Sequence, residues 1–371
     1  MTSFQKFARG YRNFAVHFLN TALLCAMAAG VYFLVMHLRQ GKRVEDPMTK
    51  YGVTQLLQGY PGRSSNEIAV LINEAYDRPL IYEPFTHFRE LPATGRFVNV
   101  TPAGFRVIED QGPWPLDSQN FNVFVFGGST TFGYGVADGE TIPSALQREL
   151  RASLKRVCVY NFGRGFYYSS QERILFSNLL AAGIVPDVAV FIDGLNDFYR
   201  PLDAPQYSSQ FMGMINQSLR ERKGLETATA MELVSYQPRP EPGTEEEKAR
   251  RICERYLRNK GIIGGMAGAR GVKTVFVWQP VPTYKFDLKF HPFSQSTSFA
   301  EHLFAGTGHR QMAQIRQTNA GAAEVLWLAD MQENAREQLY VDAVHYTAKM
   351  CGRIGVEIAR FMREQSMIPQ R

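Results

Sequence analysis

Four short stretches of the 371-residue chain carry residue types that can do chemistry, and each follows an apolar run. The first is Gly127-Gly128-Ser129-Thr130. Two glycines let the backbone turn sharply and present the serine at the start of the next segment. Its hydroxyl can then attack a carbonyl, with its own N–H aimed at the reacting oxygen. The same turn also fits a phosphate-cradling loop or a plain tight turn, though it lacks the Lys-Ser/Thr of a P-loop and a full GxGxxG. The second stretch, Asn161-Phe162-Gly163-Arg164-Gly165-Phe166, can turn backbone N–H groups toward a ligand, or serve only as a flexible strand-to-helix loop. The third is Asp193-Gly194-Leu195-Asn196-Asp197. A side-chain amide at a strand terminus is a neutral donor suited to an oxyanion; an Asn-Asp pair also makes turns and helix caps. The fourth is Asp342-Ala343-Val344-His345. A carboxylate three residues before a histidine can fix its tautomer and stabilise the imidazolium that forms when the ring takes a proton. Two surface residues with no partnership would show the same spacing.

The other histidines offer less. His17 and His37 lie at the ends of an apolar segment, His87 in an irregular region, and His291, His302 and His309 in a loop without zinc spacing. Gln279-Pro280 either lines the site or simply ends a strand. The aromatics Phe166, Tyr167, Tyr168, Phe198 and Tyr199 follow two of the four turns and form either a stacking wall or core.

The elements that must position these residues begin at 121. Phe121–Phe126, Val157–Tyr160, Val188–Ile192, Val272–Trp278 and Val325–Leu328 read as strands, being short β-branched and aromatic runs without polar alternation. Helices are expected over Thr141–Leu154, from Ser169 to near Gly183, from Thr244 to about Lys260, and over Thr347–Arg363. Ser169 with Glu172 and Thr244 with Glu247 read as capping boxes. Strands alternating with helices predict an α/β domain with a parallel sheet, whose ligands bind beyond the carboxyl ends of the strands. Upstream, Glu67–Tyr76 reads as a short helix, and Arg96–Val100 with Phe105–Ile108 as a hairpin across Thr101-Pro102-Ala103-Gly104. Residues 200–243 break the rhythm and are rich in Pro, Ser and Gln.

Taken together, the four stretches resemble the SGNH (GDSL-like) hydrolase superfamily, whose blocks are a Ser turn, a Gly loop, a Gly-x-Asn-Asp turn and a late Asp-x-x-His, in that order. The resemblance covers about residues 119–365. It implies a flavodoxin-like three-layer α/β/α fold with about five parallel strands. It makes Ser129 the nucleophile, His345 the general base and Asp342 its orienting carboxylate. The oxyanion donors it implies are the N–H of Ser129, a backbone N–H of the second block and the amide of Asn196. That second donor falls on Gly165, with Phe166 as the alternative. Gly128 stands where the family usually has Asp, a residue that does not react. Acyl transfer of this kind needs no metal or cofactor.

The formal charge of +6 is local. Residues 1–63 hold eight Lys/Arg and two acids, and the remainder balances at 33 of each sign. A nucleic-acid partner, which would want a basic face on the domain itself, is therefore not expected. The excess flanks Asn13–Leu38, 26 residues without Asp, Glu, Lys or Arg. At about 1.5 Å per residue such a helix spans a hydrocarbon core of roughly 30 Å with tilt. An uncleaved anchor is favoured over a cleaved signal peptide, because the apolar run continues ten residues past Ala26-Met27-Ala28. Four cysteines, Cys25, Cys158, Cys253 and Cys351, make neither a disulfide framework nor a metal motif, and leave one Cys253–Cys351 bridge open.

The expected organisation is a tail and transmembrane helix at 1–38, a connector and accessory region at 39–118, and a hydrolase domain at 119–371 with an insertion at about 200–243. The expected protein is a single-pass bacterial inner-membrane serine esterase with its catalytic domain periplasmic or extracellular. It would hydrolyse O-acyl, chiefly acetyl, esters of a cell-envelope or exported polysaccharide. Its partners would be the membrane, through the N-terminal helix, and an acylated glycan or small ester. An acyltransferase or lipid esterase using the same site, and a non-catalytic glycan-binding module of an envelope assembly, are the alternatives.

Overall fold

The computed structural model describes residues 3–40, 53–223 and 242–369, in two compact units, Met1–Gly52 and Val53–Arg371. The first unit is the helix α1 (Ser3–Gln40). Its stretch Tyr11–Leu34 is long and apolar enough to cross a membrane, and none of it is buried. A helix that is apolar and buries no face against protein has, by length and composition, the character of a membrane span or signal helix.

The second unit is built on a parallel sheet. Before it come α2 (Ser65–Tyr76), capped by a Ser64–Glu67 box, and an antiparallel hairpin of β1 (Leu80–Glu83) and β2 (His87–Glu90). The sheet strands are β3 (Phe121–Gly127), β4 (Val157–Asn161), β5 (Val188–Asp193), β6 (Lys273–Trp278) and β7 (Leu326–Trp327). They lie in the order β4-β3-β5-β6-β7, all parallel. This is the flavodoxin-like order, with its switch point between β3 and β5. Between and after the strands run α3 (Ser129–Phe132), α4 (Ile142–Arg151), α5 (Ser169–Ala181), α6 (Asn196–Tyr199), α7 (Ser208–Lys223), α8 (Glu245–Gly268), α9 (Leu303–Thr318) and α10 (Ala348–Glu364).

Alternation along each strand divides the core. Phe124, Phe126, Tyr160, Phe191, Phe276 and Trp278 face one side, where α5, α8 and α9 cover them. Val123, Val125, Val159, Val190, Val275 and Val277 face the other, covered by α4 and α10. Each fully buried side chain of this kind contributes about 1.5–3 kcal/mol, and both faces are dry, so the strands carry no polar alternation. Gly355 brings α10 close to α4: a Cβ there would stand 2.6 Å from Ala145 Cβ and 2.9 Å from Leu146 N. Cys253 and Cys351 are free thiols on opposite faces of the sheet, so no bridge joins them.

Three local expectations differ from the structure. The hairpin lies at 80–90, whereas 93–106 forms only isolated bridges. Its Thr101–Gly104 turn is present, but the Arg106 N–H leaves to dock on Asn161 O at the end of β4. Ser169 does not cap α5. Tyr168 is the cap residue, the Ser169 hydroxyl donates to Asp197 Oδ1 at 2.6 Å, and Glu172 is buried. The insertion expected at 200–243 contains α7, and residues 224–241 lie outside the described residues.

Candidate active site

The turn that presents Ser129 is set by two crowded glycines at the end of β3. A Cβ on Gly127 would meet Thr131 Oγ1 at 2.0 Å, and one on Gly128 would meet Asn196 Nδ2 at 2.4 Å. Only bare backbone lets the chain leave β3 this tightly and start α3 at Ser129. The Ser129 N–H is thus among the first donors of a helix, which the helix itself leaves unpaired.

Asp342 and His345 reach the same point from the other end of the chain. Ser129 Oγ lies 2.7 Å from His345 Nε2, and His345 Nδ1 lies 2.6 Å from Asp342 Oδ2. With the ring neutral, Nδ1–H donates to the carboxylate and Nε2 is free to accept the serine proton. Asp342 is held by three further donors. Tyr76 Oη reaches Oδ2 at 2.7 Å, and the N–H groups of Val344 and His345 reach Oδ1 at 2.9 and 2.8 Å. Burial alone would raise the Asp342 carboxyl, but the His345 ring and the hydrogen bonds from His345 and Tyr76 hold it well below the usual range. The imidazole is fixed from the sides as well. Tyr134 stacks on it at 5.3 Å between centroids, and Tyr76 meets it edge-on at 5.8 Å.

The glycine loop after β4 brings a second set of groups. The Gly165 N–H donates to Glu90 Oε1 at 2.6 Å, which commits it. Burial raises the Glu90 carboxyl. The next residue, Phe166, adopts φ 63°, and its N–H has no hydrogen-bond partner among the described residues. Arg164 pairs with Glu83 and bonds Tyr167 Oη at 2.9 Å, locking the loop onto the accessory hairpin. Asn196 opens α6 after β5. Its amide donates to Tyr167 O at 2.8 Å and retains a second N–H.

Gln279, after β6, ties these loops together. Its Oε1 accepts from Thr130 Oγ1 at 2.8 Å and from Tyr346 Oη at 3.1 Å, so one buried amide grips the residues that follow both Ser129 and His345. Its backbone O also meets His309 Nε2 at 2.9 Å. Behind Asn196, Glu172, Asp193 and Asp197 form a buried carboxyl group cluster. Burial first, and mutual repulsion second, raises Glu172 and Asp193; burial also raises Asp197.

A cavity of about 570 Å³ adjoins this arrangement. Its wall includes Tyr76 and Tyr134, which flank His345, and Phe166 of the glycine loop. The rest comes from the accessory hairpin and the start of α7. Of the aromatics singled out in the sequence, Tyr167, Tyr168 and Phe198 are buried core, while Phe166 lines the cavity. Tyr76, Glu90 and Gln279 were not assigned these contacts from sequence. Tyr76 is 266 residues from Asp342, and its only local signal is an aromatic residue at the end of a capped amphipathic helix.

Residues 125–292 match the model of the GDSL-like Lipase/Acylhydrolase family. No curated protein matches the chain. Among solved structures it is similar to a carbohydrate acetylesterase family member from Sinorhizobium meliloti, at 15% identity and TM-score 0.40, covering 67% of this chain and 99% of that one. It is also similar to an acetyl xylan esterase at 14% identity and TM-score 0.38, covering 65% and 98%. A third is TesA, at 13% identity and TM-score 0.39, covering 67% and 99%.

Proposed function

We propose, from the premise that this chain belongs to the GDSL-like lipase/acylhydrolase family, that it is a serine ester hydrolase working through Ser129, His345 and Asp342. The observation that carries this reading is the relay of 2.7 and 2.6 Å from Ser129 Oγ through His345 to Asp342. His345 Nε2 takes the hydroxyl proton as Oγ attacks the ester carbonyl. The C–O bond to the alcohol breaks, and His345 returns the proton to the leaving oxygen. Water, activated by the same nitrogen, then releases the acid from Ser129. The developing oxyanion is held by the N–H of Ser129, the second N–H of Asn196 and the N–H of Phe166. Phe166 takes this role in place of Gly165 because the Gly165 N–H is committed to Glu90. Removing one such donor costs about 2.7–4 kcal/mol of barrier.

The substrate in this reading is an O-acyl, chiefly acetyl, ester on a cell-envelope or exported polysaccharide. The N-terminal helix, long and apolar enough to cross a membrane, supports it; in this reading it anchors the chain to the bacterial inner membrane with the hydrolase on the periplasmic or outer side. A C-terminal alkaline phosphatase fusion in a bacterial host is expected to be active; an inactive one would place the domain in the cytoplasm. The accessory region is then part of the enzyme, since Tyr76 and Glu90 come from it. The aromatic cavity supports a second reading, a lipid esterase with a long acyl pocket. A series of p-nitrophenyl esters of rising chain length, with acetylated xylan alongside, separates the two. Activity confined to short acyl groups and to the polymer supports the first reading; a maximum at long chains overturns it.

A further inference from the structure

The cavity beside the triad has an unusual charge pattern. Arg78 is the only fully charged residue in its wall. His87 also lines it, and burial keeps that ring neutral by lowering its pKa. The Arg78 guanidinium makes one hydrogen bond, from Nη2 to Val98 O at 2.7 Å, and its Nε is buried without a partner. Among the described residues no carboxylate lies within ion-pair distance of it; Glu90, Glu74 and Asp138 act only at longer range. The neighbouring buried arginines are treated differently. Arg106 is paired with Asp138 and bonds three backbone carbonyls, and Arg164 is paired with Glu83. A half-buried cation with no carboxylate in contact has its desolvation cost only partly offset, and a ligand that supplies the anion would offset the rest. A second guanidinium without a carboxylate partner among the described residues, Arg200, follows α6 and stacks on the Tyr199 ring at 4.5 Å, outside the cavity wall.

Most of the remaining wall is aromatic, with Tyr82, Phe88, Tyr134, Tyr207 and Phe211 beside the aliphatic Leu80 and Ile81. Flat rings accept the C–H face of a sugar, and phenol groups at their edges can bond its hydroxyls. At about 570 Å³ the cavity has the size of a site for a whole small ligand, well beyond an acetyl group. One guanidinium in an otherwise uncharged wall matches a monoanion; a phosphate dianion would be left half neutralised.

We propose that this cavity is a subsite for a carboxylate-bearing sugar, anchored by Arg78, and that the enzyme therefore deacylates an acidic polysaccharide. The proposal rests on the ester hydrolase reading for its chemistry, though the binding it asserts does not. Arg78 holds the uronate carboxylate, the aromatic walls hold the ring, and the ester on the alcohol side is delivered to Ser129.

The test is calorimetric binding of trigalacturonate and of xylotriose to the full chain in detergent. Trigalacturonate is expected to bind at least about tenfold more tightly, with the gap closing in Arg78→Gln and shrinking as salt is raised. The ratio of kcat/KM between acetylated oligogalacturonate and acetylated xylo-oligosaccharide should fall by a similar factor in that variant, mainly through KM. Equal affinity of the intact protein for the two trisaccharides overturns the proposal, and needs no variant to fold. Arg78-dependent binding of ferulate or of galactose 1-phosphate in place of the uronate overturns it too. Uronate binding without turnover of p-nitrophenyl acetate would instead sink the hydrolase reading and leave the subsite standing.

Discussion

Gly128 precedes Ser129 with no room for a side chain, and placing one there is expected to disable the enzyme. Its φ of −78° and ψ of −157° suit any residue, so Gly128→Ala brings no backbone strain. The conflict is spatial. The new Cβ would stand 2.4 Å from Asn196 Nδ2 and 2.9 Å from Tyr167 O, two atoms that bond each other at 2.8 Å. Contact distances of about 3.5 Å require the amide to retreat by roughly 1 Å. A displacement of that size loses the Asn196 donor at the oxyanion, worth about 2.7–4 kcal/mol, or 10²–10³ in kcat. The overpacking itself costs stability of about 1–3 kcal/mol. The assay is steady-state turnover of p-nitrophenyl acetate, with urea unfolding run in parallel so that loss of folded protein is counted separately. A drop in kcat of about a hundredfold with KM little changed is expected. A folded Gly128→Ala protein within about threefold of the parent kcat would refute both the steric argument and the role given to Asn196.

Other consequences follow from the same contacts. Tyr76→Phe removes one of four donors to Asp342 and is expected to lower kcat/KM about tenfold, the low end for a bond to a charged acceptor, because Tyr76 is partly exposed; an unchanged value would show that Tyr76 plays no part in holding the relay. Gly355→Val forces a side chain between α10 and α4, so the urea midpoint should fall by an amount equivalent to about 1–3 kcal/mol while turnover per folded molecule holds. Glu172 is buried with its carboxyl pKa raised, so its contribution to stability is present below the unfolded value and is lost as pH rises through the folded one. Glu172→Gln should therefore raise the urea midpoint at pH 8 and change it much less at pH 5, and the opposite ordering would contradict this.

The parts of the fold that could be read in the sequence are those whose signal is local. The long strands announce themselves because both sheet faces are dry, and a two-sided dry strand must be a continuous run such as Phe121–Phe126; β7, a two-residue edge strand, is only half-buried. Three of the four stretches could be located because each begins where such a run stops; Asp342–His345 lies well beyond β7 and shows only as an Asp-x-x-His spacing. Ser129, His345 and Asp342 are indeed brought together, at separations that no local pattern encodes. What could not be read depends on tertiary partners. Ser169 and Glu172 have the spacing of a capping box, yet Asp197 and the buried carboxyl cluster claim them, since burial makes those partners worth more than a cap. Between Gly165 and Phe166, spacing alone does not choose; the proposed preference for Phe166 rests on Glu90, 75 residues upstream, which takes the Gly165 N–H. The accessory region looked irregular because its contributions, Tyr76, Arg78 and Glu90, are single side chains on short elements.

The central claim is that Ser129 is the nucleophile of an ester hydrolase, and the most direct measurement is turnover of p-nitrophenyl acetate by Ser129→Ala beside the unmodified chain, both shown to be folded by unfolding midpoint. The unmodified chain is expected to turn the ester over, and the variant, which keeps His345 and Asp342 but has no hydroxyl at 2.7 Å from Nε2, is not. Equal turnover by the two proteins would contradict it.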